Sequence, residues 1–478
     1  MQTENLVDGQ WIAAHGGGRF DVVDPGTDEV VATVPAGGEV EARAAVDAAL
    51  AALPPWRALP ADQRAQPLRK LSELMLQQQT ELGKLLTREQ GKPLAEAKGE
   101  IAYAASFLEW SAEEARRVGG EYIPAAHANK RIVVMRQPIG VVAAITPWNF
   151  PAAMITRKIG PALAVGCTVV IKPAEQTPLT ALALGELAIA AGFPRGVLNI
   201  VTGDPDAIGR TWLADARVRK LSFTGSTEVG RILIGRAAQH VTKLSLELGG
   251  HAPMVVFDDA DVDAAVRGAI VSKLRNAGQT CICPNRFYVQ SGVHDAFVAA
   301  LQRELAGMKI GYGLDDGSVL GPLIDDDAVA KVREHVDDAR AHGATLRSGG
   351  EFVRPRAGLT QRFCQPTLLD GLDGSMRIAA EETFGPVVAV RRFDHEAQAI
   401  EWANDSPYGL ASYLYTRDLV RALRVAEALE TGIVGLNDGA ISTAQAPFGG
   451  MKASGWGREG GKWALDQFVE IKYVSIAM

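Results

Sequence analysis

The stretch CTVVIKPAEQTPLTALALGELAIAAG, residues 167–192, decides the fold. A short β-branched run ends in Lys172, a turn carrying two prolines follows, and an Ala- and Leu-rich segment of helical length comes next. The same unit recurs around it. IGVVAAIT (139–146) is followed by AMITRKIGPALAVG (153–166), and GVLNIVTG (196–203), VRKLSFTG (218–225) and VTKLSLELGG (241–250) continue the series. Short apolar strands alternating with helices predict a parallel sheet covered on both faces, with right-handed crossovers. A second alternating region opens at APMVVF (252–257), passes through NRFYVQ (285–290) and runs to GIVGLN (432–437). The expected class is therefore α/β, with two doubly wound domains.

Before this series, LVDGQWI (6–12) and RFDVVDPGTDEVVATVP (19–35) read as hairpins, and long helices reach to about Arg117. GGEYIPAAHANKRIVVMR (119–136) reads as strands projecting from the helical layer, and the chain finishes in an alternating strand, FVEIKYVSI (468–476). That last strand has no core of its own, so it is expected to pair outside the domain. At 478 residues the chain exceeds one hydrophobic core. Its net charge of −7, with acids and bases interspersed, leaves no basic footprint for nucleic acid. No apolar run approaches the ~20 residues of a membrane helix, and the first residues carry no secretory pattern. The four cysteines, at 167, 281, 283 and 364, make neither a disulfide framework nor a paired metal knuckle, so no metal is expected. A reducing cytoplasm is the expected compartment.

Open parallel sheets bind ligands beyond the carboxyl ends of their strands. The strands here deliver Asn149 in PWNFP, Lys172 with Glu175 three residues on, Ser226 and Thr227 at a helix start, and Glu247 before Gly249 and Gly250. Each has an ordinary structural explanation: a helix cap, a solvated strand end, or a surface carboxylate. Their gathering on one edge does not. The adjoining region adds a thiol in NAGQTCICPNR (276–286), where two of the four cysteines stand.

Together PWNFP, KPAEQTP, FTGSTEVG, LELGG, GQTC and EETFGPV resemble the aldehyde dehydrogenase superfamily, in its order and spacing from about 140 to 390. LRNAGQTCICPNR, GPLID, PFGGMKASGWGREG and EIKYVSI are most similar to its succinate-semialdehyde branch. The resemblance implies an aldehyde-dehydrogenase-like fold, with an NAD-binding domain over 1–118 and 138–248 and a catalytic domain over 249–450. It also implies a small β oligomerisation element from 119–137 and 458–478, and a homodimer or homotetramer. It implies Cys281 as the nucleophile, and Asn149 with the Cys281 backbone N–H as the oxyanion donors. Glu247 is implied as the general base, with Lys158 and Glu459 as a proton relay. For the cofactor it implies Thr146, Pro147, Trp148, Gly225, Ser226 and Leu248 around a pyrophosphate at a helix N-terminus. Lys172 and Glu175 are implied on the adenosine ribose, and Glu382 with Phe384 at the nicotinamide end. Because a carboxylate repels a 2′-phosphate, Glu175 predicts NAD over NADP.

In the same branch two arginines and a serine hold the substrate's far carboxylate, and Arg157, Arg275 and Ser442 occupy the matching positions. Succinate semialdehyde is the expected substrate. Glutarate or 2-oxoglutarate semialdehyde, or a broad range of aldehydes, is the alternative. Cys283 matches a position where some relatives carry a second cysteine able to bond the first; a passive small residue is the competing reading. Two further classes stay open at this point: a cysteine hydrolase with Cys281 activated by His251, and a non-catalytic binding protein on a dehydrogenase fold.

Overall fold

The computed structural model describes residues 2–478. Its first sheet has eight strands, in the order Gln10–Ile12, Asn5–Val7, Leu198–Ile200, Thr168–Lys172, Val141–Ile145, Val218–Thr224, Lys243–Glu247 and Gly455–Trp456. The five central strands are parallel. Strands Val141–Ile145 and Thr168–Lys172 are buried at every residue, which explains their unbroken apolar sequence: a parallel strand covered on both faces has no solvent side to alternate with. Because Val141–Ile145 lies between Thr168–Lys172 and Val218–Thr224, the order reverses there. The crevice this opens is flanked by the residues after each strand, Thr146–Asn149 on one side and Gly225–Thr227 on the other.

The second sheet has seven strands: Thr345–Ser348, Thr367–Asp370, Val387–Phe393, Pro284–Gln290, Ala252–Val256, Ala411–Tyr415 and Ile433–Leu436. All but the first run parallel. The chain then crosses back, and Gly455–Trp456 pairs antiparallel with Lys243–Glu247 on the first sheet. This return, unseen in the sequence, brings the segment before Glu459 onto the Glu247 strand.

Two helices set the floor of the crevice. Ala153–Val165 is buried along its whole length and stops at Gly166, whose φ of +102° suits a residue without a Cβ. It packs beneath the 21-residue helix Leu94–Glu114, which buries Ala97, Ile101, Ala104 and Leu108. The projecting ribbon is three-stranded, Glu121–Ile123, Lys130–Pro138 and Val469–Ala477, so the terminal strand finds its partner in register from Val469↔Pro138 to Ala477↔Lys130. It leaves Tyr122, Ile471 and Tyr473 exposed. Among the described residues, no helix is long and apolar enough to cross a membrane.

Candidate active site

Between the strand ends of the first sheet and the loops of the second lies a cavity of about 650 Å³. Asn149, Thr224, Ser226, Cys281, Glu382 and Phe384 all line it. Cys281 arrives there on an unusual turn. Asn276 and Ala277 have φ of +53° and Gly278 of +76°, three successive left-handed residues just before the cysteine. Such a conformation costs a non-glycine residue roughly 1–2 kcal/mol, so it persists only where its surroundings enforce it. Here Asn276 Nδ2 donates to Asn149 O at 3.0 Å, Asn276 N to Glu96 Oε2 at 2.8 Å, and Gln279 N to Asn276 O at 3.0 Å. At Gly278 a Cβ would lie 2.1 Å from Gly385 O, so the cysteine turn and the Glu382–Phe384 loop meet backbone to backbone.

Asn149 is held as firmly. Lys92 Nζ donates to its carbonyl at 2.8 Å, and its own Nδ2 donates to Gln279 O at 3.1 Å. Lys92 is also paired with Glu100 Oε2 at 2.5 Å, both side chains about 1% exposed. The other Glu100 oxygen accepts from Ala152 N at 2.9 Å, at the start of the buried helix. Lys92, Glu96 and Glu100 were missed in the sequence. The signal was present in part as spacing, since Glu96 and Glu100 stand four apart on one face of Leu94–Glu114, but charges at that spacing usually mark a solvated face, and Lys92 precedes the helix.

The electrostatics sort the titratable groups into roles. Enclosure in the cleft wall, with Glu382 and Glu247 adding to it, pushes the Cys281 thiol up to about 12. At neutral pH it is a protonated thiol, inert until a base takes its proton. Burial, and then the nearby Glu459 carboxylate, hold Glu247 well above the usual carboxyl range, which makes it a stronger base than an exposed glutamate. Burial alone would raise Glu459 too, but Lys158 and Arg157 more than offset it and hold it low. Lys158 Nζ bonds Glu459 and, at 2.7 Å, Thr224 Oγ1. Burial likewise lifts Glu382 to about 7, against the Gly250 N–H that donates to it at 3.2 Å.

Most of the expected cofactor residues line the same cavity, and Thr146, Lys172 and Glu175 lie outside its lining. Ser226 caps the helix Thr227–Ala237, its Oγ accepting from Val229 N at 3.2 Å, and the helix start faces the cleft beside Gly225. Gly249 leaves room, because a Cβ there would stand 3.2 Å from Glu382 Oε2 and 3.3 Å from Thr227 Oγ1. Leu248 closes the wall behind Gly230. Trp148 and Phe384 meet edge to face at 5.6 Å, and Pro147 lies beside them in the lining. Thr146 N donates to Lys172 O at 3.1 Å, tying the neighbouring strand ends together. Arg231 and Lys331, absent from the sequence reading, also line the cavity and add positive charge. These donors, the open glycine cradle and the helix N-terminus fit a bound dinucleotide.

The expected substrate residues separate. Tyr103 OH is hydrogen-bonded to Ser442 Oγ, and the Arg275 guanidinium stacks 5.6 Å from the same ring and 4.7 Å from Phe150. Arg157 lies over Phe107, the ring packed on Tyr103, with Nε 2.9 Å from Glu459 Oε2 and a buried Nη2 that has no hydrogen-bond partner. Cys283 faces the interior, donating to Gly278 O at 3.2 Å with Lys273 Nζ 3.7 Å away; both it and Cys281 are free thiols. The His251 ring packs against Tyr408, with Nε2 2.9 Å from Ala379 O, so that nitrogen is engaged away from Cys281.

Comparison with known proteins agrees with this geometry. The aldehyde dehydrogenase family profile matches residues 11–474. The chain is 56% identical over 478 residues to a succinate-semialdehyde dehydrogenase [NADP(+)] of Escherichia coli K12, covering 100% of this chain and 98% of that one. Identity and coverage are the same for a glutarate-semialdehyde dehydrogenase of Pseudomonas putida. A crystal structure described as an E. coli NADP dependent enzyme superposes with a TM-score of 0.98 at 55% identity, covering 100% of this chain and 98% of that one. The expectation of NAD over NADP is thereby corrected, since relatives this similar are named for NADP. The physical reason lies in a charge left out of the argument from Glu175. Lys172 Nζ sits 2.6 Å from Glu175 Oε1, so the carboxylate is neutralised in place and a cation stands beside it. With more than half its residues shared with relatives of almost equal length, this chain belongs to the aldehyde dehydrogenase family.

Proposed function

We propose that this chain oxidises succinate semialdehyde to succinate with NADP. The observation that carries the substrate is Arg275: it is half-buried, stacked between two aromatic rings, and in no ion pair among the described residues. A cation held in place without a carboxylate of the protein is suited to receive one from the substrate.

Glu247 takes the proton from Cys281, and the thiolate attacks the aldehyde carbon. The Asn149 side-chain N–H and the Cys281 backbone N–H hold the oxyanion; the Lys92–Glu100 pair keeps the asparagine in place. When bound, the dinucleotide supplies the hydride acceptor that takes the adduct to an acyl thioester. Glu247 then activates water to release the free acid, and the proton leaves through Glu459 and Lys158. Lys172 and Glu175 hold the adenosine ribose, and the amides around Ser226 hold the pyrophosphate. Residues 1–118 with 138–248 form the cofactor domain, 249–450 the catalytic domain, and 119–137 with 458–478 the element through which subunits associate.

The test is kcat/KM with NADP for succinate semialdehyde against butanal. A preference of at least about a hundredfold, or ~2.7 kcal/mol, supports the assignment; equal values remove it. Glutarate semialdehyde belongs in the same assay as the second reading, since a relative of equal identity is named for it and one methylene is worth only about 1–3 kcal/mol. NAD in place of NADP, with the substrate held fixed, tests the cofactor.

A further inference from the structure

We infer that the proton taken from Cys281 leaves along a buried polar stripe on strand Val218–Thr224, through Thr224 and Ser222 to Lys220, and reaches solvent past Ser245 and Gln467. The inference rests on the mechanism proposed above and says where its proton goes after Lys158.

Alternate residues of a strand share one face. Leu221 and Phe223 of Val218–Thr224 join an apolar core with Leu246 of the next strand. The opposite face carries Lys220, Ser222 and Thr224, and the register sets Ser222 beside Ser245 and Thr224 beside Glu247. All five of these polar residues are buried. The sheet does not demand polarity there. On the other flank Lys220 lies beside Val142 and Ser222 beside Ala144, and both neighbours belong to the apolar core that includes Ile159 and Phe468. The polar residues therefore form a stripe two strands wide that begins at the general base and runs for about 13 Å, the rise of four strand residues.

Both ends of the stripe are hydrogen-bonded. At the inner end Lys158 Nζ bonds Glu459 and, at 2.7 Å, Thr224 Oγ1. At the outer end Lys220 Nζ donates to Ser245 Oγ at 2.6 Å, and Ser245 Oγ donates to the half-buried Gln467 Oε1 at 3.4 Å. Gly457 leaves room for this last pair, since a Cβ there would stand 3.1 Å from both Gln467 Oε1 and Ser245 Oγ. Between the ends stands Ser222, whose buried hydroxyl has no hydrogen-bond partner. A hydroxyl both donates and accepts, so it can hand a proton from one bridging water to the next.

Lys220 is the group able to hold the proton in transit. The buried Lys92, Lys158 and Lys172 each pair with a glutamate, whereas Lys220 is in no ion pair among the described residues and faces the Phe468 ring at 5.2 Å. Burial brings its amine down to about 7, with Lys243 and Lys158 acting in the same sense and Cys167 and Glu459 opposing them. Such an amine takes and gives up a proton at neutral pH. Glu247 passes its proton to the Glu459 carboxylate. Lys158 donates one to Thr224 and is restored from Glu459. The Lys220 amine becomes an ammonium and then loses that proton past Ser245 to bulk water, which returns every group to its starting charge.

The experiment records NADPH formation by absorbance and proton release with a pH indicator, through the first turnover and into the steady state, in the parent, Ser222→Ala and Lys220→Met. Ser222→Ala removes a hydroxyl that bonds nothing in the fold, so it separates a relay from a structural role. In both variants the first NADPH should form at the parental rate, while proton release and kcat fall about tenfold or more. Imidazole, a diffusible proton carrier, should restore kcat. If Ser222→Ala releases protons in step with NADPH at the parental kcat, the route is refuted even where Lys220→Met fails to fold. A first turnover that slows together with kcat and does not respond to imidazole marks a structural role and overturns the inference as well. If the parent itself forms no NADPH from the aldehyde, the underlying mechanism falls first, an outcome distinct from either.

Discussion

The Cys281 thiol should be unusually slow to alkylate, and the structure says by how much. Its proton is held at about 12 against an ordinary 9.0, a shift that cuts the thiolate fraction roughly a thousandfold at any pH below both values. A more basic thiolate is intrinsically more nucleophilic, with a Brønsted slope of about 0.4–0.5, which returns roughly a factor of twenty. The net expectation is alkylation by iodoacetamide about fiftyfold slower than for a small free thiol at pH 8. The log rate should keep rising with unit slope through pH 10, where a normal thiol has levelled off. Cys167, Cys283 and Cys364 are at most 3% exposed, so peptide mapping should find the label on Cys281 alone. The causes are separable as well. Enclosure contributes most and Glu382 next, so Glu382→Gln should speed labelling severalfold without restoring a free-thiol rate. A parent enzyme that labels at the free-thiol rate, or whose rate levels off near pH 9, would refute the claim that the resting nucleophile is protonated, and with it the need for Glu247 to deprotonate it.

Cys281→Ala should abolish dinucleotide-dependent aldehyde oxidation in an enzyme that still folds, which a steady-state assay beside circular dichroism would check. Glu459→Gln strands Lys158 and Arg157 without a counter-ion, and breaking such a buried pair should cost about 3–5 kcal/mol, read as a lower urea midpoint. Because the folded Glu459 is held below its usual 4.5, its contribution is complete above that pH and is lost as pH falls through the folded value; parent and variant should converge in acid. Gly278→Ala forces a Cβ to 2.1 Å from Gly385 O at a φ of +76°, and kcat should fall at least about tenfold as the cysteine turn shifts. Gly343→Ala, at φ +99° but with nothing within 4 Å, is the control and should cost about 1–2 kcal/mol of stability while leaving kcat unchanged. Lys92→Met releases the Asn149 carbonyl, so kcat should drop with KM little changed; an unaltered kcat would remove Lys92 from the account of oxyanion geometry.

What could be read from the sequence follows one physical line. Strands buried on both faces announce themselves as unbroken β-branched runs, and the residue after each strand end must reach the same edge, so Asn149, Lys172, Ser226 and Glu247 could be gathered with no knowledge of distance. Charges on helices carry no such address. Arg157 and Arg275 look alike in sequence, each a cation beside an apolar helical run, yet one is neutralised by Glu459, about 300 residues away, and the other is left open by two aromatic rings. Lys92 and Glu100 looked like solvated residues because only folding reveals that Ala152 N–H and the Asn149 carbonyl need them. The error over Glu175 has the same origin on a shorter scale. A single carboxylate was assigned a repulsion that belongs to the pair it forms with Lys172, three residues away. For a buried charge the partner matters more than the residue type, because in a low-dielectric site an uncompensated ion is costly and a paired one is nearly silent. Arg275 is a half-buried cation in no ion pair among the described residues. The proposed preference for a carboxylated aldehyde therefore rests on that open cation more than on the number of arginines nearby.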